Sequence, residues 1–279
     1  MIKAEKSVME LNPYSHLLIE DAFGVSSLLD SAFPSEGEFN KSFRMDKDMT
    51  YPMKNYLNLI IRNKTYNALH NYIYSTDFVS LFLKFFKDEI LKNVVKGDLL
   101  FNPFELPIIG SPYELSMFKM NQNLTDSAFL FPRLDLGYGG VDYGKNNGGG
   151  GVHTDNLGRL ISIIYYVNSP KDMLGGEHRI YGIQNKKPLL ERIIEPKEGR
   201  LIASLQTNTA LHDVNPITKI KGYRKAFYLA ISCNKPIWRN SEDWLMKLTR
   251  NRDPQNIIHN GKSLKSKLKV YLMRKLLFQ

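Results

Sequence analysis

The chain has 279 residues, of which 43% are hydrophobic and 24% are charged. This length allows one domain with a sizeable core, and the composition excludes a disordered or fibrous class. No run of about 18 apolar residues is present, which argues against a spanning helix. The N-terminal residues lack a signal peptide and Cys233 is the single cysteine, so we expect a cytoplasmic protein without an intramolecular disulfide.

The net charge of +10 is concentrated near the C-terminus. Residues 239–279 contain ten basic and three acidic side chains, with apolar residues in a loose amphipathic stripe. A basic tail is often only a solvated surface, but lysines over an apolar stripe also suit an anionic membrane surface. Peripheral binding to the cytoplasmic face of a membrane is therefore one expectation, and nucleic acid is the competing partner.

Local patterns predict helices in the first part of the chain and strands in the middle. We expect a strand over 16–20, a short helix over 24–33 and two or three helices over 57–96. Short apolar runs between Gly, Pro and Asn residues then indicate many strands and an all-β sandwich or barrel. These runs are residues 113–120, 129–138, 160–167, 178–183, 189–194, 201–205 and 225–232.

The same patterns give a domain organisation. We expect a single catalytic domain over 1–235, with helical support over about 1–100 and a β core over about 101–235. Residues 236–279 form a helical basic extension in this interpretation.

Three residues suggest a metal site. His153 and Asp155 are two positions apart at the start of a predicted strand, so an extended chain would present both to one side. His212 would complete a face of two imidazoles and one carboxylate, an arrangement that suits non-haem Fe(II) in O2 chemistry. The simpler alternative is a hydrogen-bonded His–Asp pair with His212 in a turn.

The order of several motifs sharpens this hypothesis. Gly175-Gly176-Glu177 follows the first strand, 195–200 precedes another apolar run, and Arg224 comes twelve residues after His212. From about 134 to 232 the series resembles the Fe(II)/2-oxoglutarate-dependent dioxygenases, particularly their prolyl-4-hydroxylase-like branch. The resemblance implies a double-stranded β-helix, or jelly-roll, core braced by the N-terminal helices.

The resemblance also implies roles for individual residues. His153, Asp155 and His212 would be the catalytic iron ligands, and Arg224 would bind the distal carboxylate of 2-oxoglutarate with its guanidinium fork. Tyr166 is a second candidate for that carboxylate, and Tyr138 a third. His178 is interpreted as pocket lining or surface, and Gly148–Gly151 as a loop at the mouth of the site.

The implied activity is hydroxylation of an unactivated C–H bond in a small-molecule or sugar substrate, coupled to decarboxylation of 2-oxoglutarate to succinate. The cofactors would be Fe(II), 2-oxoglutarate and O2, with ascorbate as a candidate reductant. The carboxylate of Asp155 argues for hydroxylation, since related halogenases have Ala or Gly there.

Other substrates and a non-enzymatic role remain open. The tail suggests a membrane-associated hydroxylase of a lipid-linked glycan, similar to the Kdo hydroxylases. A protein prolyl hydroxylase and an AlkB-like nucleic-acid demethylase are further alternatives. The demethylases carry a second Arg six residues after the first, where this chain has Ala230, so nucleic acid is disfavoured. A jelly-roll binding module without turnover is the alternative from a different class.

Overall fold

A computed structural model describes residues 2–41, 48–50, 53–110, 127–141 and 151–239. The predicted strand over 113–120, most of the Gly148–Gly151 loop and the basic tail beyond 239 lie outside the described residues. Their predicted roles therefore stay predictions. Of the helices in the described ranges, none has the length and apolar content needed to cross a membrane.

The helical segment contains four helices after a short first one, where two or three were expected. The helices are α1 (Ser26–Ser31), α2 (Met53–Arg62), α3 (Lys64–Ile73), α4 (Thr76–Phe85) and α5 (Lys87–Val95). The extra breaks have local causes, because the Asn63 side chain accepts from the backbone N–H of Tyr66 and Ser75 accepts from that of Phe78. Asn and Ser at these positions satisfy N–H groups at a new helix start and so favour a break over continuation.

Eleven strands are described, most of them close to the predicted ranges. They are β1 (Ser7–Glu10), β2 (His16–Ile19), β3 (Asn40–Lys41), β4 (Asp48–Thr50), β5 (Leu130–Gly139), β6 (Arg159–Tyr166), β7 (His178–Gln184), β8 (Lys187–Ile194), β9 (Leu201–Leu205), β10 (Leu211–Val214) and β11 (Arg224–Cys233). β1, β3, β4 and β10 were not expected, because strands of two to four residues rarely show a recognisable alternating pattern; β2, which also has four residues, is the exception.

The strands form two antiparallel sheets. The large sheet has the order β1-β2-β9-β6-β11-β5-β4-β3, and the small sheet has the order β10-β7-β8. A mainly β chain with two such sheets is consistent with the jelly-roll fold of the 2-oxoglutarate oxygenases. The N-terminal segment is not purely helical support, because β2 pairs with β9 and so extends the large sheet.

The two faces of the large sheet have different partners. Along β6, Ile161, Ile163 and Tyr165 belong to the main apolar core, which includes buried side chains of α3, α4 and α5. Tyr166 belongs instead to a smaller core that also contains Ile180 of the small sheet. The period-2 alternation of β6 thus sends one set of side chains to the helices and the other to the space between the sheets.

Substitution of Phe227 measures how much the helix-facing core contributes to the free energy of unfolding. Its ring is fully buried and packs against Phe33 and Tyr165. We expect Phe227→Ala to lower the free energy of unfolding by about 3–5 kcal/mol, the usual cost of a large cavity. Leu189→Ala, at a side chain on β8 that is 46% exposed, should cost less than about 0.5 kcal/mol. Urea unfolding measures both, and equal losses would contradict this description of the core.

Candidate metal centre

His153 and His212 are joined through their backbones. The N–H of His153 donates to the carbonyl of His212 at 3.0 Å, and the N–H of His212 donates back at 2.9 Å. This reciprocal pair attaches the segment before β6 to β10, and it places the two imidazole ring centres 4.7 Å apart. Side chains of directly opposed residues in an antiparallel pair lie on the same face, so both rings point to one place.

Each imidazole is oriented by a backbone carbonyl two residues earlier. Nδ1 of His153 lies 2.7 Å from the carbonyl oxygen of Gly151, and Nδ1 of His212 lies 3.0 Å from that of Ala210. A carbonyl can only accept, so each Nδ1 donates, and in the neutral ring Nε2 is then the nitrogen with the free lone pair. Neutral imidazoles fixed in this tautomer are the usual form of metal-binding histidines.

Asp155 supplies an anionic oxygen beside the two rings. Its Oδ2 lies 4.0 Å from Nε2 of His212. Burial alone would raise the pKa of Asp155, but the charge of Arg159 and a hydrogen bond from Ser162 hold it well below its usual range. Asp155 is therefore ionised at neutral pH.

The three side chains can hold a metal ion together. One potential ligand atom from each of His153, Asp155 and His212 lies within 4.8 Å of the other two. Two imidazole nitrogens and one carboxylate oxygen on one face form the donor set of the non-haem Fe(II) oxygenases. The triad fits iron binding on this chemistry.

Arg224 lies in the same space between the sheets. Its side chain is 1% exposed, its Nη1 donates to the carbonyl of Gly176 at 2.8 Å, and its Nη2 donates to the hydroxyl of Tyr228 at 3.0 Å. The neighbouring Gly175 packs closely against a different segment, because it has φ +89° and an added Cβ would lie 2.0 Å from the carbonyl oxygen of Pro216.

Tyr166 is next to Arg224, as the sequence suggested. The guanidinium carbon lies 5.5 Å from the centre of the Tyr166 ring. The Tyr166 hydroxyl is buried and has no hydrogen-bond partner among the residues that the structure describes. A buried hydroxyl without a partner is costly, so a carboxylate at this position would satisfy it. Arg224 and Tyr166 thus fit the distal end of a dicarboxylic acid.

Tyr138 was the third candidate for binding the cosubstrate carboxylate. The structure corrects this prediction, because Tyr138 does not reach the site. It pairs with Lys225 across β5 and β11, so it faces the opposite side of the sheet from Arg224. Its ring packs against Phe33 and Phe39, and its hydroxyl donates to the carbonyl of Pro34. Tyr138 is a core residue of the helix-facing side.

His178 lines the site from the small sheet. It is 4% exposed, and its ring centre lies 5.5 Å from that of His212. Burial lowers the pKa of His178 well below its usual value and lowers that of His212 to about 4. Both rings are therefore neutral at neutral pH.

Sequence reasoning gave no role to two residues that contact Asp155. Arg159 was known only as the start of a strand, and Ser162 only as part of it. Ser162 interrupts the apolar run 160–164, and Arg159 follows the acid by four positions. These two features indicate contacts with Asp155 only once Asp155 is assigned as a metal ligand.

The comparison with known proteins agrees with this geometry. Residues 139–231 match the family model described as 2OG-Fe(II) oxygenase superfamily. This part of the chain is therefore similar to the 2OG-Fe(II) oxygenases. The cofactors of that superfamily are Fe(II), 2-oxoglutarate and O2, as expected from the sequence.

Similar solved structures include two prolyl 4-hydroxylases. The chain is 14% identical to one from Pseudomonas putida, covers 94% of it with 80% of its own length, and aligns with a TM-score of 0.45. It is 15% identical to the prolyl 4-hydroxylase structure from Phytophthora capsici, with 94% of this chain, 79% of that chain and a TM-score of 0.40. No curated protein sequence matches the chain.

The buried histidines predict a pH dependence of stability in the metal-free protein. The unfolded chain takes up protons near pH 6.5, whereas burial keeps His178 and His212 neutral to lower pH in the folded state. The unfolded state then binds more protons, so stability falls as the pH drops from about 6.5 towards 4. We expect His178→Gln to lose less free energy of unfolding between pH 7.5 and pH 5 than the wild type. An identical loss, measured by urea unfolding at both pH values, would contradict this assignment.

Tyr138 gives a second prediction. Tyr138→Phe removes the hydrogen bond to Pro34 and should lower stability by about 1 kcal/mol, while the affinity for 2-oxoglutarate stays unchanged. Titration calorimetry with 2-oxoglutarate and Mn(II) checks the second part, and a marked loss of affinity would restore Tyr138 to the site.

Proposed function

We propose that the protein is an Fe(II)/2-oxoglutarate-dependent dioxygenase that hydroxylates an unactivated C–H bond of its substrate. The observation that carries this proposal is the convergence of His153, Asp155 and His212 on one point, with Arg224 in the same interior space. When bound, the iron and 2-oxoglutarate supply the activation of O2 and release succinate and CO2.

The protein's own residues perform three tasks in this proposal. The Nε2 atoms of His153 and His212 and a carboxylate oxygen of Asp155 hold the metal. Arg224 pairs with the distal carboxylate of 2-oxoglutarate, and Tyr166 donates its hydroxyl to the same group. These contacts fix the cosubstrate between two points, which orients it and leaves the remaining face to the substrate.

The buried setting of Arg224 supports its assigned task. A guanidinium that is 1% exposed is shielded from solvent screening, so its attraction to a carboxylate is stronger than at the surface. Its hydrogen bonds to Gly176 and Tyr228 hold the fork in one orientation before the cosubstrate arrives. Preorganisation of this kind lowers the entropic cost of binding.

For the substrate, a small molecule or sugar stays our prediction. The loop predicted to shape the substrate pocket and the tail over 240–279 lie largely outside the described residues, and the membrane-associated glycan hydroxylase depends on that tail. A protein prolyl hydroxylase remains the other class, since two similar solved structures are prolyl 4-hydroxylases.

Turnover of 2-oxoglutarate tests the proposal. We expect Fe(II)-dependent formation of succinate, slow without the primary substrate, and its loss by more than about 100-fold in His153→Ala or His212→Ala. His70→Ala is the matched control, because His70 is hydrogen-bonded to Tyr56 in the helical layer and should retain activity. Wild-type levels of succinate in both ligand variants would end the proposal.

Arg224→Lys provides a separate test of cosubstrate binding. Lysine keeps the charge but cannot form the bidentate fork, so we expect the affinity for 2-oxoglutarate to fall about 10- to 100-fold with Mn(II) binding unchanged. An unchanged affinity in calorimetric titration would show that the carboxylate binds elsewhere.

A further inference from the structure

The two oxygens of Asp155 are held by two different side chains. Nη1 of Arg159 donates to Oδ1 at 3.0 Å, and the hydroxyl of Ser162 donates to Oδ2. Both donors lie on β6, four and seven residues after Asp155. The carboxylate therefore cannot rotate about its Cβ–Cγ bond without breaking two hydrogen bonds, one of them charge-assisted.

The two oxygens also differ in what they face. Oδ2 lies 4.0 Å from Nε2 of His212, which is the nitrogen left free by the contact of Nδ1 with Ala210. Oδ1 is the oxygen that Arg159 holds. One oxygen is thus presented to the histidines, and the other is engaged by the guanidinium.

We propose that Arg159 and Ser162 are positioning residues that restrict Asp155 to binding the metal through Oδ2 alone. This inference depends on the proposed function. A carboxylate can bind a metal through one oxygen or through two, and the second mode uses an additional coordination position. An iron site with three protein ligands needs its remaining positions for the keto acid and O2. The hydrogen bond from Arg159 keeps Oδ1 from taking one of them.

The backbone of Arg159 is held on both sides by hydrogen bonds. Its backbone carbonyl accepts from Nε1 of the buried Trp238 at 2.9 Å, and its backbone N–H donates to the carbonyl of Asn156 at 3.0 Å. The side chain is 24% exposed and that of Asp155 15%, so the pair is less screened than a surface ion pair. The hydrogen-bonded backbone of Arg159 and its largely buried ion pair with Asp155 together restrain the carboxylate.

The positive charge of Arg159 distinguishes a role in positioning Asp155 from a role in increasing the metal affinity of the site. A guanidinium next to a metal ligand repels a dication and lowers its affinity. Arg159 is therefore unfavourable for metal binding itself, and its contribution is to the geometry of Asp155. This separates its role from that of a residue that merely stabilises the site, because the two roles predict opposite changes in metal affinity.

Arg159→Met is the decisive variant, because it keeps the apolar stem and removes the charge and the donors. We expect its Mn(II) affinity to equal or exceed that of the wild type, while its affinity for 2-oxoglutarate in the presence of Mn(II) falls about tenfold. The free Oδ1 then competes with the keto acid for the metal. Titration calorimetry measures both constants, and thermal unfolding confirms that the variant is folded.

Ser162 provides a second variant in case Arg159→Met does not fold. Ser162→Ala should also weaken binding of 2-oxoglutarate, and Ser162→Thr, which restores a hydroxyl, should recover most of it. Ser204→Ala is the matched control, because Ser204 lies directly opposite Ser162 on β9 and is 4% exposed. No hydrogen bond joins it to Asp155 among the described contacts, so both affinities should stay at the wild-type level.

The outcomes separate this inference from the proposed function. If the wild type binds no 2-oxoglutarate in the presence of Mn(II), the proposed function fails. If the wild type binds it and the affinities of Arg159→Met and Ser162→Ala are unchanged, the positioning role alone is wrong. A parallel loss of metal and keto-acid affinity in the folded variants also overturns it, because that result indicates general damage to the site.

Discussion

The reciprocal backbone hydrogen bonds between His153 and His212 are the interaction on which the site depends. They connect a segment before β6, which belongs to the large sheet, with β10 of the small sheet. Because the two residues are directly opposed, strand pairing places their imidazoles on one face, and the contact of each Nδ1 with a backbone carbonyl then orients the ring. Asp155 then needs only to follow His153 by two residues. The metal-binding geometry is thus a consequence of strand pairing, and it is as rigid as the two sheets.

The division of the large sheet into two faces explains how a buried polar site coexists with a stable core. Tyr165 and Phe227 pack towards the helices, and Tyr166 and Arg224 point between the sheets from the same two strands. The apolar layer against the helices supplies burial without polar groups. The opposite face can then hold a guanidinium and an unpaired hydroxyl, whose cost is offset by the core behind them.

The sequence predicted the long strands and the ligand residues, but by two different routes. Apolar runs located β6, β9 and β11 within one or two residues, because strands that are largely buried on both faces appear in the sequence as nearly continuous apolar runs. The meeting of His212 with His153 could not be derived from spacing, since β10 is too short to show a pattern; the motif resemblance supplied it. Tyr138 was assigned wrongly although a signal existed. It shares its phase with Leu134 and Leu136, which marks it as a core residue of β5.

Electrostatics connects these features to the ligands that the site would accept. Burial keeps His178 and His212 neutral, and among the described residues the cation of Arg159 lies against the anion of Asp155 while that of Arg224 lies against Tyr166. A bound dication adds to a positive excess in a poorly screened interior. A dianionic keto acid offsets that excess, with one carboxylate near the metal and the other at Arg224. In the proposed function, metal and cosubstrate would therefore bind with favourable coupling. In this view Arg159 does more than orient Asp155. Its positive charge leaves an excess of positive charge at the site that is offset only when the dianionic keto acid binds.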